Sequence, residues 1–107
     1  MIGMTPKPFR AQSAALRESA RGRACTLRLP GCDGGGETTV LAHIRGTWTG
    51  IGTKPSDSFA VYACGMCHQW EELGTRGVCS DGDRLRALYE TQQIMLREGL
   101  LTMAGRR

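Results

Sequence analysis

An α+β fold, two short strands and a helix set between an N-terminal and a C-terminal helix, is predicted by three observations. Two β-branched or apolar runs, Thr38 to Ile44 and Ser58 to Ala63, have strand character. The pair Cys64-Gly65-Met66-Cys67 follows the second run and opens a stretch that can be helical. Helix-forming compositions flank this ββα unit on both sides. With 107 residues there is room for one small domain, and 15 glycines leave few side chains for a core, so a covalent or metal staple is expected.

Residues 1–10 carry Pro6 and Pro8 and read as a flexible arm. Ala11 to Ala20 favours a short helix with Gly22 as its stop. Thr26-Leu27-Arg28-Leu29 alternates polar and apolar like a short strand, and Pro30-Gly31 signals a turn, so Cys25 and Cys32 can face one another across a small loop or hairpin. Asp33 to Gly36 is a polar glycine loop, after which the Thr38 to Ile44 strand ends at His43. From Arg45 to Asp57, Gly46, Gly50, Gly52 and Pro55 forbid regular structure and suggest an ordered surface loop of functional length. Ser58 to Ala63 is the second strand, and residues 65–73 form a helix bearing His68, Glu71 and Glu72 that ends near Gly74. A last helix runs from Ser80 or Asp81 to Glu98, with Asp83 in its first turn, an apolar stripe of Leu85, Leu88, Tyr89 and Met95, and Gly99 as its stop. The domain therefore spans 11–101, followed by a basic tail, 102–107.

The N-terminus has no apolar core of about 7 residues or more, so nothing reads as a signal peptide or membrane span, and a cytoplasmic location is expected. A net charge of +4 favours an anionic partner. Arg17, Arg21, Arg23 and Arg28 crowd the first cysteine pair, and Arg45 and Lys54 flank the loop after His43, as phosphate contacts would. Arg17, Arg21 and Arg23 read equally well as a solvated helix face.

Five cysteines can serve disulfides or a metal, and a reducing cytoplasm favours zinc. Cys64 and Cys67 share a tight turn, and Cys25 with Cys32 can complete a tetrahedral Zn²⁺ site, although six residues separate the first pair. Buried free cysteines and a redox-active Cys64–Cys67 pair are the other readings, the latter without the βαβ pattern that usually accompanies it. Cys79 is left over as an unliganded thiol.

His43, at the end of a strand, can act as a general base near neutral pH, or serve only as a structural hydrogen-bonding residue. His68, behind the cysteine turn, can hold a catalytic metal, neighbour the zinc, or replace one of its ligands. Trp48 can stack on a base or pin its loop to the core. Glu71 and Glu72 read as solvated charges, or as carboxylates one turn on that could orient His68 or an ion.

Taken in order, Arg21-Gly22-Arg23-Ala24-Cys25, Leu29-Pro30-Gly31-Cys32, Glu37-Thr38, Val40 to Arg45, Gly52-Thr53-Lys54-Pro55-x-Asp57 and Cys64-x-x-Cys67-His68 resemble the small prophage-encoded nucleases of the YbcO type, within the HNH superfamily. The resemblance covers roughly residues 14–101. It implies a zinc-stabilised ββα-metal (HNH-like) fold, a phage or prophage origin, DNA as substrate, and cleavage with Mg²⁺ or Mn²⁺. It implies that His43 is the general base, that His68 is the metal ligand closing the signature, and that Asp57 stands where many members have an Asn bracing the loop and the base. Active members commonly carry an Asp or His ligand just before the base, where this sequence has Ala42. Either Glu37, a helix carboxylate or waters complete the metal shell, or the protein is a zinc-bound module that binds DNA without cutting it. No small-molecule cofactor is expected, and nothing in the sequence specifies an oligomer.

Overall fold

The computed structural model of the protein describes residues 12–44, 55–72 and 78–104. The arm (1–10), Arg45, Trp48, Lys54, the loop glycines, Gly74 and the last three residues of the tail lie outside the described residues. The element order is α1 (Ala14–Ser19), β1 (Val40–His43), β2 (Ala60–Ala63), α2 (Gly65–Glu72) and α3 (Asp81–Arg97), an α+β arrangement as expected.

The antiparallel register places Leu41 opposite Tyr62, Ala42 opposite Val61 and His43 opposite Ala60. Because successive side chains of a strand leave on opposite faces, this pairing sorts the molecule into two sides. Leu41 and Tyr62 pack with Leu16, Ala20 and Met95, from the region of α1 and the end of α3. Ala42, Val61 and Ala63 pack with Leu27, Leu88 and four of the cysteines, with Trp70 of α2 against them. Every residue of β2 is buried, which is why it reads as a continuous apolar run rather than an alternating one.

Local sequence signals set the helix ends. Ser13 caps α1 by accepting from the Leu16 amide, and Ser80 and Asp83 form a reciprocal capping box on α3. Beyond α3, Gly99 has φ +78°, and the amides of Leu100 and Gly99 donate to the carbonyls of Met95 and Leu96, a Schellman closure that a left-handed glycine permits.

Two expectations need correction. Thr26 to Leu29 is not a strand: Arg28 has φ +52°, Thr26 N–H donates to the Tyr62 carbonyl and Leu29 N–H to Cys67 Sγ. Bringing Cys25 round to the other cysteines overrides the local alternation, and the only β-bridge in this region, among the described residues, joins Ala24 to Gly35. Gly35 is obligatory there, since at φ +94° a Cβ would lie 2.5 Å from the Cys25 nitrogen. The stripe on α3 is also rotated: Leu88 and Met95 are buried, but Leu85 and Tyr89 are 69% and 65% exposed. Polar anchors turn the helix, because Thr91 Oγ1 contacts Thr26 Oγ1 and accepts from the Tyr62 amide, while Arg84 reaches Glu71.

Candidate metal centre and histidine–aspartate site

The four cysteines Cys25, Cys32, Cys64 and Cys67 converge as their pairing suggests, with all sulfurs within 4.8 Å of one another. Cys64 and Cys32 Sγ are 3.9 Å apart, close to the roughly 3.8 Å separation that tetrahedral Zn–S bonds of about 2.3 Å require and far beyond a disulfide bond. Backbone amides already aim at the sulfurs: Leu29 N–H at Cys67 and Gly34 N–H at Cys32, each at 3.3 Å, and Cys67 N–H at Cys64 at 3.5 Å. Burial pushes the Cys32 and Cys67 thiols up, whereas for Cys25 the burial penalty is outweighed by donors from Arg28, Cys64 and Leu27, which hold its thiol below its usual range. The cluster can hold a metal ion and its geometry is consistent with structural zinc, whose charge would bring all four to thiolates. Cys79 is buried outside this group and free, with its thiol pushed up by burial.

On the opposite face of the hairpin, His43 Nε2 lies 2.8 Å from Asp57 Oδ1. Asp57 is 1% exposed, and its other oxygen accepts from the Ser13 amide at 2.6 Å and from an Arg17 guanidinium nitrogen at 2.7 Å. Burial works against the carboxylate, but the Ser13 amide, His43 and Arg17 outweigh it, so Asp57 is held below the usual carboxylate range. Tyr62 closes this side by a hydrogen bond with Ser19 of α1. Arg17 was legible in the sequence only as one of several arginines before the cysteines. The available signal was its place in the last turn of the short helix that follows Ser13, but nothing local links it to a carboxylate 40 positions away.

His68 lies on α2 with Nε2 3.5 Å from Glu72 Oε2, one turn on, while its Nδ1 is buried without a hydrogen-bond partner. Glu71 takes a different part. It is buried against Arg84 of α3, whose guanidinium also donates to the Glu71 and Cys79 carbonyls, and burial pushes its carboxyl up, only partly offset by Arg84. Glu37 is exposed, in the turn before β1. Among the described residues, the four cysteines are the one group that gathers three or more candidate metal-binding atoms, so His43, His68, Glu37 and Asp57 are not drawn into a common cluster. Ala42 is fully buried and turned away from His43, toward the cysteine side.

The arginines divide by role. Arg21 is exposed beside Glu18, whereas Arg23 is committed to the Ser19 carbonyl, to Glu98 and to the Tyr62 ring, whose centroid lies 5.5 Å from its guanidinium. Arg28 pairs with Glu90. Arg45 and Lys54 lie outside the described residues. No described helix is long and apolar enough to cross a membrane.

The family model described as "Putative nuclease YbcO" matches residues 14–103. Two relatives carry that name, one from Escherichia coli (strain K12) and one from Enterobacteria phage 82; each is 45% identical over 93 residues, covering 82% of this chain and 97% of the relative. A solved structure described as that of "a putative bacteriophage protein from Escherichia coli str. K-12" is 40% identical, with a TM-score of 0.58, and the match covers 79% of this chain and 100% of that one.

Proposed function

This chain belongs to the YbcO family, and from that premise we propose that it is an HNH-type (ββα-metal) endonuclease of phage or prophage origin, hydrolysing DNA phosphodiester bonds with a divalent metal. The observation that carries this reading is the contact of His43 with Asp57. A general base needs one nitrogen fixed and the other free to take a proton; Asp57, buried and ionised, accepts a hydrogen bond from Nε2–H and leaves the Nδ1 lone pair to receive a proton from water. Such catalysis is worth about 10²–10⁴-fold, so the remaining acceleration comes from charge stabilisation.

On this reading the catalytic ion is held from α2. His68 Nε2 stands 3.5 Å from the Glu72 carboxylate, while its buried Nδ1 has no hydrogen-bond partner; Nε2 and the carboxylate would hold a Mg²⁺ or Mn²⁺ ion that keeps several waters. Bound there, the ion would stabilise charge on the phosphate and the leaving oxygen. Zinc at Cys25, Cys32, Cys64 and Cys67 would be structural, its charge making the four thiolates while a reducing cytoplasm keeps them from forming disulfides. Arg21, Arg45 and Lys54 contact flanking phosphates, and Arg23 orders α1 through Ser19 and Glu98, so affinity falls steeply with salt.

The second reading, a catalytically inactive zinc-bound DNA-binding module in phage recombination or replication, is favoured by one observation: Ala42 puts no ligand before His43. A nicking assay with Mg²⁺ or Mn²⁺ on duplex, single-stranded and branched DNA separates the two. His43→Ala should abolish cleavage and keep zinc and DNA binding, while His68→Ala should raise the metal concentration needed. Ala42→Asp buries a carboxylate and should lower the melting temperature, with Mn²⁺ restoring it if position 42 faces the ion. Wild-type protein that binds but never cuts any of these DNAs supports the module.

A further inference from the structure

We propose that Arg17 is a positioning residue for the base: by neutralising Asp57 it keeps His43 in the neutral form that accepts a proton. The inference rests on the nuclease reading for its consequence, but not for its physical content.

Asp57 is almost wholly removed from solvent and is held ionised, so it requires a compensating charge nearby. Two groups in contact with it could supply one. Arg17 reaches Oδ2 at 2.7 Å and His43 reaches Oδ1 at 2.8 Å. If His43 carried the balancing charge it would be an imidazolium, with no lone pair to take a proton from water. Arg17 carries its charge at every accessible pH and satisfies the carboxylate without engaging the imidazole. The Ser13 amide, at 2.6 Å on the same oxygen, fixes the carboxylate but adds no charge.

The surroundings leave these two as the choices among the described residues. From β2, Tyr62 shares this face and bonds Ser19. From α3, the uncharged Gln92 donates to the Ser58 carbonyl, and Arg23 is taken by Glu98. Arg17 is half exposed, which screens its effect and places the expected shift near the lower end of what a neighbouring charge produces.

The test uses full-length, zinc-loaded protein with Arg17→Gln and Arg17→Lys. The first readout is the imidazole proton signal of His43 followed by NMR against pH, without DNA or added Mg²⁺. In Arg17→Gln its midpoint should move up by about one pH unit, and in Arg17→Lys it should return most of the way to wild type. The second readout is the pH–rate profile with Mn²⁺. The acid limb of Arg17→Gln should move up correspondingly, about tenfold slower on that limb and close to wild type well above it. An unmoved NMR midpoint, or a rate loss equal at every pH, overturns the proposal. If wild type cuts no DNA and the NMR midpoint still moves, the charge balance stands and the nuclease reading falls.

Discussion

The two faces of the hairpin each bury one carboxylate, and the two behave in opposite ways. Asp57, beside α1, is held ionised below its usual range; Glu71, between α2 and α3, is pushed above it. Both have little exposed surface, but Glu71 lies deeper in the protein and burial is the largest influence pushing its carboxyl up. The donors differ as well: Asp57 takes three at 2.6–2.8 Å, which outweigh its burial, while the Arg84 Nε contact of Glu71 is 3.4 Å long. A buried acid is thus held ionised where short donors outweigh the cost of its burial, and is pushed toward its neutral form where burial outweighs them.

The largest test of this contrast removes what the two faces share. Cys67→Ala, or chelation of a metal held by the four cysteines, should unfold the whole domain, because structural zinc contributes about 10–16 kcal/mol in zinc-finger peptides, as much as a small domain's entire stability. Circular dichroism with zinc analysis reads this. Survival of the Asp57 face with the metal gone would show that the faces fold independently.

A smaller effect separates the carboxylates directly. Asp57→Ala should cost about 1–3 kcal/mol in urea denaturation, since it strands the Ser13 amide and Arg17, whereas Glu71→Gln should be close to neutral. Their pH dependences have opposite signs. The lowered Asp57 contributes stability present above its unfolded value, about 3.9, and lost as pH falls through its folded value; the raised Glu71 contributes stability present below about 4.3 and lost as pH rises through its folded value. Asp57→Ala should therefore flatten the acid-side loss, and Glu71→Gln should remove a decline on the rising side. Equal effects of the two substitutions would erase the comparison.

The smallest effect lies on α3. Leu85→Lys should change stability by no more than about 0.5 kcal/mol, whereas Met95→Ala should cost about 2–5, by the same denaturation. A large loss at Leu85 would restore the stripe expected from its spacing.

Much of this was legible in residues close in the chain. The caps at Ser80 and Gly99, the strand ending at His43, the glycine loop and the paired cysteines all express short-range rules, and each appears near its expected place. The strand expected at Thr26 to Leu29 failed because its backbone donors answer to Tyr62 and Cys67, far along the chain. Glu71 read either as a solvated charge or as a carboxylate orienting His68 or an ion, and it is instead buried against Arg84, a partner that belongs to the next helix.

The sequence by itself determined the α+β class, the four sulfurs that can share a metal, and a histidine at a strand end, because spacing along the chain fixes turns, caps and ligand pairs. Only the tertiary structure decided that Arg17 joins His43 on Asp57, that Ala42 turns away from His43 into the core, and that Leu85 and Tyr89 face solvent. Those outcomes depend on the register of two four-residue strands and on polar anchors between distant elements. A shift of one residue in that register would send every strand side chain to the other face, and no local pattern of residues records which register wins.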